Sequence, residues 1–275
     1  MVEAFTLNHD ELMARAPELA AQFASADPFP HIVFDGLIPD EVLQRVVAEF
    51  PVPSEAVKGD PNQLKTGFRN EATLSPFINE VFHELNGQVM MNFLSAVTGI
   101  EALIPDPYLY GGGLHLIRPG GLLKVHTDFS EHPRMHVDRR LNLLVYLNED
   151  WEDSYGGHLE LWDLEMTHCV KKVLPSIGTC VLFATTGKSP HGHPDPLTCP
   201  DNMARRSIAM YYYSKGAPAD HGVREGTNWM SRPGEKLVSH QHRETVNGGM
   251  GLQGRDFVPP AFFKIGGRLK RKFKS

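Results

Sequence analysis

Lys124-Val125-His126-Thr127-Asp128-Phe129 reads as the end of a β-strand carrying a His-x-Asp pair. Two residues apart on an extended chain, His126 and Asp128 point to the same face. A neutral imidazole nitrogen beside a carboxylate oxygen can bind one metal ion. In a chain with 14 histidines such a pair arises readily by chance. Taken alone it reads equally well as a surface or core hydrogen bond. Two downstream features change its weight. Histidines recur in Ser189-Pro190-His191-Gly192-His193-Pro194, and Arg205-Arg206 opens a strand-like run soon after.

Around that stretch, from Pro105 to about Ser214, short β-rich runs are separated by Gly and Pro. They are Tyr108–Tyr110, Leu114–Ile117, Leu122–His126, Leu141–Leu147, His158–Trp162, Cys169–Val173, Thr179–Ala184 and Arg206–Tyr213. Short strands at this spacing predict a sandwich or barrel rather than a doubly wound sheet.

Upstream the chain is helix-rich. Residues 9–25 are rich in Ala, Leu and Glu and predict a helix, with Pro17 as a break or first-turn proline. Asp27-Pro28-Phe29-Pro30 stops it, His31–Phe34 reads as a short strand, and Asp35-Gly36 as a turn. Pro39-Asp40 opens a second helix to about Phe50, with Asp40 as its cap. Residues 51–70 read as loop. Ser75-Pro76 starts a third helix through Phe77, Ile78, Val81, Phe82 and Leu85, continuing past Met90, Phe93, Leu94 and Val97 to Gly99. Beyond Lys215-Gly216-Ala217-Pro218 the chain is polar and Gly-rich and ends in a basic run, Arg268 to Lys274, which reads as a solvated tail. The expectation is a single domain over 1–275, with helix-rich support at 1–104, a β core holding the metal site at 105–215, and an extension at 216–275. The loop at 51–70 and the extension are expected to shape a substrate entrance.

At 41% hydrophobic and 22% charged residues, 275 positions are ample to bury a core. A net charge of −6 argues against a nucleic-acid partner, which would select a basic face. No apolar run approaches the roughly 20 residues that cross a bilayer. Met1–Asp10 holds Glu3 and Asp10 and no basic stretch, so neither a signal peptide nor a membrane partner is expected. Cys169, Cys180 and Cys199 are odd in number and lack a Cys-x-x-Cys spacing, which suits reduced, buried thiols in a cytoplasmic protein.

His126, Asp128 and a downstream histidine make a 2-His-1-carboxylate set with open positions, the ligand set of non-haem Fe(II) oxygenases. The open positions leave room for O2 and a chelating co-substrate such as 2-oxoglutarate. The far carboxylate of that co-substrate needs a cation, and the planar fork of Arg suits it. If the last strand alternates, Arg205, Ser207, Ala209 and Tyr211 share one face, and Arg206, Ile208, Met210 and Tyr212 the other. The first set has the small residues expected beside a bound diacid, so Arg205 with Ser207 is preferred and Arg206 held in reserve. In Arg140–Asn148, Asn142, Leu144 and Tyr146 face one way, while Leu141, Leu143, Val145 and Leu147 face the other. An amide and a phenol on one face are odd for a plain core strand, because buried polar groups need partners. A polar ligand inside the barrel would supply them.

From Tyr108 to Ser214 these residues resemble the catalytic core of the 2-oxoglutarate/Fe(II)-dependent dioxygenases, in their prolyl-4-hydroxylase-like branch. His126-Thr127-Asp128 is similar to the metal motif and His191-Gly192 to the distal histidine, which implies His191 rather than His193 as third ligand. Arg205-Arg206-Ser207 is similar to the basic-aromatic-small triplet opening the last strand, with Arg206 in place of the usual aromatic. Tyr146-Leu-Asn-x-Asp-Trp151 resembles a segment of the animal oxygen-sensing prolyl hydroxylases, which implies Tyr146 as a second contact to the far carboxylate. Gly156-Gly157-His158-Leu159 fits the Gly-Gly-x-Leu strand. The implied fold is mainly β with helical support, a double-stranded β-helix (jelly-roll, cupin-like) packed against the N-terminal helices. The implied activity is hydroxylation of a C–H of a small-molecule or peptidyl substrate, with Fe(II), 2-oxoglutarate and O2, and succinate as co-product. The resemblance thus implies His126, Asp128 and His191 as catalytic metal ligands and Arg205 and Tyr146 as co-substrate contacts, to which the strand pattern adds Asn142 and Ser207. Arg118, His193 and Tyr211 are candidates for touching substrate, and His132 and His136 read as loop residues. Two rival readings are a zinc-dependent hydrolase, since His, Asp and His also hold catalytic zinc, and a jelly-roll binding protein without catalysis. No motif places a general base for the first, and the second leaves three ligands and an arginine without purpose.

Overall fold

Residues 5–51, 61–217 and 226–235 are described by a computed structural model of the chain. The structure begins with α1 (His9–Ser25), capped by the Asn8 side chain, which accepts from the Glu11 amide. Pro17 neither breaks nor starts this helix but sits inside it. The lost backbone hydrogen bond is offset by the apolar face on either side, where Leu12, Ala16, Leu19 and Phe23 are all buried. After β1 (His31–Phe34), α2 (Asp40–Ala48) starts from Pro39 without a side-chain cap, so Asp40 is its first residue rather than its cap. The expected long third helix is two helices, α3 (Pro76–Leu85) and α4 (Gln88–Thr98), broken at Asn86-Gly87. Ser75 caps α3, and Gly99 ends α4 in the left-handed conformation at φ 69°.

The remaining strands are β2 (Thr66–Phe68), β3 (Ile104–Pro105), β4 (Gly113–Ile117), β5 (Leu123–Thr127), β6 (Asp138–Tyr146), β7 (Leu159–Trp162), β8 (Cys169–Val173), β9 (Cys180–Ala184), β10 (His191–His193), β11 (Arg205–Ser214) and β12 (Asn228–Trp229). Tyr108–Tyr110, expected as strand, is a turn. The Asp106 carboxylate accepts from the Tyr108 and Tyr110 amides at 2.9 and 2.7 Å, and Leu109 takes a φ of 46°. Within 51–70, read as loop, Thr66–Phe68 pairs with β4. Residues 52–60 and the basic tail lie outside the described residues.

The strands form two sheets. The larger runs β1-β9-β6-β11-β4-β2 with β3 beside β11, and the smaller runs β12-β5-β10-β7-β8. All named pairings are antiparallel. This is the double-stranded β-helix with helices on one side. Alternation decides which residues go where. Leu141, Leu143 and Val145 of β6 and Ile208, Met210 and Tyr212 of β11 pack with Leu12, Phe23, Val46, Phe77, Ile78, Leu85, Phe93 and Leu94 of the helices. The opposite face looks inward, where Tyr146, Val181 and Phe183 meet Leu159, Leu161 and Val173 of the smaller sheet. One face is therefore sealed by helices, and the other encloses the space in which the polar residues of β6 and β11 gather.

The helix layer is also tied to the sheet by a polar contact. The fully buried Tyr212 hydroxyl donates to the Leu85 carbonyl at 2.9 Å, at the end of α3. Tyr212→Phe is expected to lower stability by about 1–2 kcal/mol, because a buried carbonyl loses its donor. Urea unfolding would read this as a fall in midpoint at unchanged slope, and an unchanged midpoint would show that the contact does not couple the layers.

Candidate metal centre

β5 and β10 pair in a register that sets His126 opposite His191. Both rings point to the same side, 4.5 Å apart between centroids. His126 Nδ1 lies 2.8 Å from the Lys124 carbonyl and His191 Nδ1 lies 3.0 Å from the Ser189 carbonyl. A carbonyl only accepts, so each Nδ1 must carry the proton and each Nε2 is left with its lone pair. The two Nε2 atoms converge on Asp128, one residue beyond β5, at 3.6 Å from Oδ1 and 3.6 Å from Oδ2. These separations are too long for hydrogen bonds and leave a gap among three donors that all lie within 4.8 Å of one another. A divalent transition-metal ion, about 2 Å from each ligand, fits such a gap. Burial pushes the His191 imidazole down to about 4, against the pull of Asp128, so it is neutral at neutral pH as a ligand must be.

Asp128 is held by a residue that sequence reasoning passed over. Arg139, fully buried on β6, brings Nη2 to 2.9 Å from Asp128 Oδ2. The charges meet outside hydrogen-bonding alignment, so Oδ2 and the guanidinium nitrogens remain without hydrogen-bond partners. Arg139 also lies 3.5 Å from the Tyr211 ring centroid and 4.5 Å from that of Phe129. Burial alone would push the Asp128 carboxyl up, yet Arg139, His191 and His126 together hold it well below the usual carboxylate range. Asp128 is thus an anion with an oxygen to spare.

Deeper inside, at the first residue of β11, Arg205 is 5% exposed. Its Nε donates to the Gly157 carbonyl at 2.7 Å and its Nη2 to the Tyr146 hydroxyl at 3.3 Å. Burial lowers its pKa, and among the described residues no carboxylate offsets it. Gly157 has to be glycine. Its φ is +71°, and a Cβ there would come within 2.6 Å of Leu197 and 3.0 Å of Arg205 Cδ. Asn148 fixes the start of β11, its Oδ1 accepting from the Arg206 amide at 2.6 Å. Ser207 sits opposite both Tyr146 and His115 in the sheet, and Asn142 buries an Oδ1 without a partner on the same inner face. His115 Nε2 donates to the Gly111 carbonyl at 3.1 Å, and burial, then Lys65, holds this imidazole well below its ordinary pKa.

The other sequence candidates separate cleanly. Arg206 turns to the opposite side of the strand, over the Phe50 ring. Tyr211 joins the Arg139 cluster and donates to the Gly111 carbonyl at 3.0 Å. Arg118 stays exposed in the turn after β4 and is not brought to the metal cluster. His193 is buried on the strand of His191. His136 is an exposed loop residue, while His132 is fully buried and accepts from the Arg134 and Met135 amides at 3.1 Å each. No disulfide joins the three cysteines, and burial pushes the Cys169 thiol up to about 11, which leaves no reactive thiolate there. Trp229 was also missed. β12 pairs beside β5 and sets its ring 5.3 Å from that of His126. Arg232 holds Asp195 at 2.8 Å and Glu235 at 3.2 Å, and Glu235 also pairs with Lys124.

Replacing the partner of a metal-binding carboxylate typically weakens metal binding by about 10–100-fold. Arg139→Met is expected to do so here, while Arg139→Lys recovers part of the loss. Trp229 fluorescence during Mn(II) titration provides the readout. Equal affinities in wild type and Arg139→Met would show that the ion pair does not hold Asp128 for the metal.

Residues 112–213 match the family model described as the 2OG-Fe(II) oxygenase superfamily. Among curated proteins no match is found. Among solved structures, the chain is similar to a prolyl hydroxylase from Trichoplax adhaerens in complex with a hypoxia inducible factor peptide fragment. The TM-score is 0.50 at 15% identity, over 74% of this chain and 91% of that one. It is also similar to HygX from Streptomyces hygroscopicus with nickel, 2-oxoglutarate and hygromycin B bound, at TM-score 0.50 and 14% identity, over 76% of this chain and 96% of that one. A Pseudomonas putida prolyl-4-hydroxylase aligns at TM-score 0.44 and 18% identity, over 72% of this chain and 100% of that one. At these identities the structural likeness speaks to the fold. The family model bears on the chemistry, because the residues it spans include His126, Asp128, His191 and Arg205. Residues 112–213 thus match the model of the 2OG-Fe(II) oxygenase superfamily, on a fold that prolyl hydroxylases share.

Proposed function

We propose that the protein hydroxylates an unactivated C–H of an amino acid, a peptidyl residue or a related small molecule, with decarboxylation of 2-oxoglutarate to succinate and CO2. The observation that carries this is the pairing of two buried features. Two imidazole Nε2 atoms and a carboxylate face one another across a gap, and a buried arginine beside Tyr146 has, among the described residues, no acid to meet. His126, Asp128 and His191 would hold Fe(II), and Arg205 with Tyr146, flanked by Ser207 and Asn142, would hold the far carboxylate of 2-oxoglutarate. The bound iron and co-substrate supply the oxidising power that a protein side chain lacks. The chain supplies orientation. The carbonyls of Lys124 and Ser189 fix both imidazole tautomers, Arg139 keeps Asp128 ionised, and the apolar inner wall of Leu159, Leu161 and Phe183 excludes water.

The range of substrates follows from what this fold accepts elsewhere. The Trichoplax enzyme is held with a peptide fragment and HygX with hygromycin B. Trp229 pairs beside the metal strand, Glu235 is ion-paired to Lys124 of that strand, and residues 62–64 pair along it. These are described parts of the two segments that, on this reading, would shape the substrate entrance. A zinc hydrolase gains nothing from Arg205, whose buried charge then has no counter-ion, and an inactive binding protein has no need of the Nε2 pair. We place the protein in the cytoplasm, in keeping with its free cysteines and with the absence, among the described residues, of any helix long and apolar enough to cross a membrane.

Anaerobic addition of Fe(II) and then 2-oxoglutarate should produce the weak visible charge-transfer band of a chelated keto acid. His126→Ala is expected to abolish it. Arg205→Ala removes charge-assisted hydrogen bonds and should weaken 2-oxoglutarate binding by about 10–100-fold. A protein that shows no band and holds zinc tightly would turn the assignment to hydrolysis.

A further inference from the structure

We propose that His193 belongs to the co-substrate pocket and donates, beside Arg205, to the carboxylate of 2-oxoglutarate that lies away from the metal. The inference rests on the functional reading above and assigns a residue that the metal triad and Arg205 leave unexplained. His193 is 3% exposed, and among the described residues neither of its ring nitrogens has a hydrogen-bond partner. Other buried histidines differ. His191 uses Nδ1 on a carbonyl and turns Nε2 to the metal gap, His115 donates through Nε2, and His132 accepts two amides. A buried donor and acceptor left unmade are costly, so an imidazole with both nitrogens open is aimed at something the protein does not supply.

The surroundings name the chemistry. His193 lies two residues past His191 on β10, whose register against β5 shifts between them, and it is buried among the charged and imidazole groups of the site. The ionisable groups that act on it are Arg205 first, then Lys65, His126 and His115. None of these is an acid. A carboxylate that satisfies Arg205 is therefore the acceptor that the imidazole N–H lacks, and such a hydrogen bond is charge-assisted. Gly192 fixes the placement. A Cβ there would strike the Leu123 and Lys124 carbonyls at 2.8 Å, so β10 lies hard against β5 and His193 has little freedom to turn away.

The test compares wild type with His193→Leu, His193→Phe and His193→Gln in anaerobic, Fe(II)-loaded protein, each titrated with 2-oxoglutarate and with pyruvate, which lacks the far carboxylate. Mn(II) affinity is measured separately. His193→Leu and His193→Phe are expected to weaken 2-oxoglutarate about ten-fold or more, while pyruvate and Mn(II) affinities stay within about two-fold. His193→Gln, which keeps a donor, should recover part of the loss. If Leu does not fold, the flat ring of Phe carries the same comparison. Unchanged 2-oxoglutarate affinity overturns this inference alone, as does an equal loss for pyruvate, which would place His193 at the metal end. A wild type that binds Mn(II) but no 2-oxoglutarate overturns the functional reading and this inference together.

Discussion

The pairing of β10 with β5, with His191 opposite His126, is the contact on which the site depends. β10 is only three residues long and is bracketed by Pro190 and Pro194. It cannot hold its own place by propensity. It is held between β5 and β7, with Gly192 packed against the backbone of β5 so closely that no side chain fits. A slip of one residue would turn both histidines to the outer face. That outer face is already filled by Val125, Trp162 and Met166, with Met230 against them. Burial on both faces of the smaller sheet thus fixes a register that three hydrogen-bonded residues could not.

Two buried charges are treated in opposite ways. Asp128 is met by Arg139, so the metal end of the cavity is close to neutral before any ion arrives. Among the described residues Arg205 hydrogen-bonds a carbonyl and a phenol and pairs with no carboxylate. A lone buried charge is expensive and survives in a native fold when something outside the chain completes it. The contrast separates a group that positions a ligand atom from a group that waits for a ligand. It also explains why Arg139 and Arg205, both fully enclosed arginines on neighbouring strands, point to different functions.

Much of this was legible in the sequence, for reasons tied to particular residues. Strict alternation in Leu141–Leu147 and Arg205–Tyr212 assigns faces correctly, because both strands run through the middle of a sheet with a helix layer on one side. Arg139 was not legible. By alternation it belongs with Leu141 on the helix face, but Arg140 is an extra residue against β11, where Tyr212 pairs with Leu141 and Tyr213 with Arg139. That bulge turns Arg139 toward Asp128. β10 was missed because Pro-His-Gly-His-Pro carries no β signal and is made a strand by its neighbours. Trp229 lies far from His126 in sequence, and no periodic pattern links them. Tyr108–Tyr110 looked like a strand because its aromatics suit one, whereas Asp106 captures both amides and closes a turn.

The chain carries a net charge of −6, yet its interior is lined by Arg205, His193 and His115, with Lys65 nearby. Placing positive and imidazole groups inside an acidic protein runs against solubility and against simple core packing. On the reading proposed above, it would concentrate an anion where the outer surface would repel one. The β-helix makes this possible because its polar inner face is sheltered by the smaller sheet while its stability comes from the helix-covered side. On that reading folding and ligand binding are coupled through the same cavity. A ligand that completes Arg205 and His193 binds the folded chain and not the unfolded one, and so stabilises the architecture that holds it.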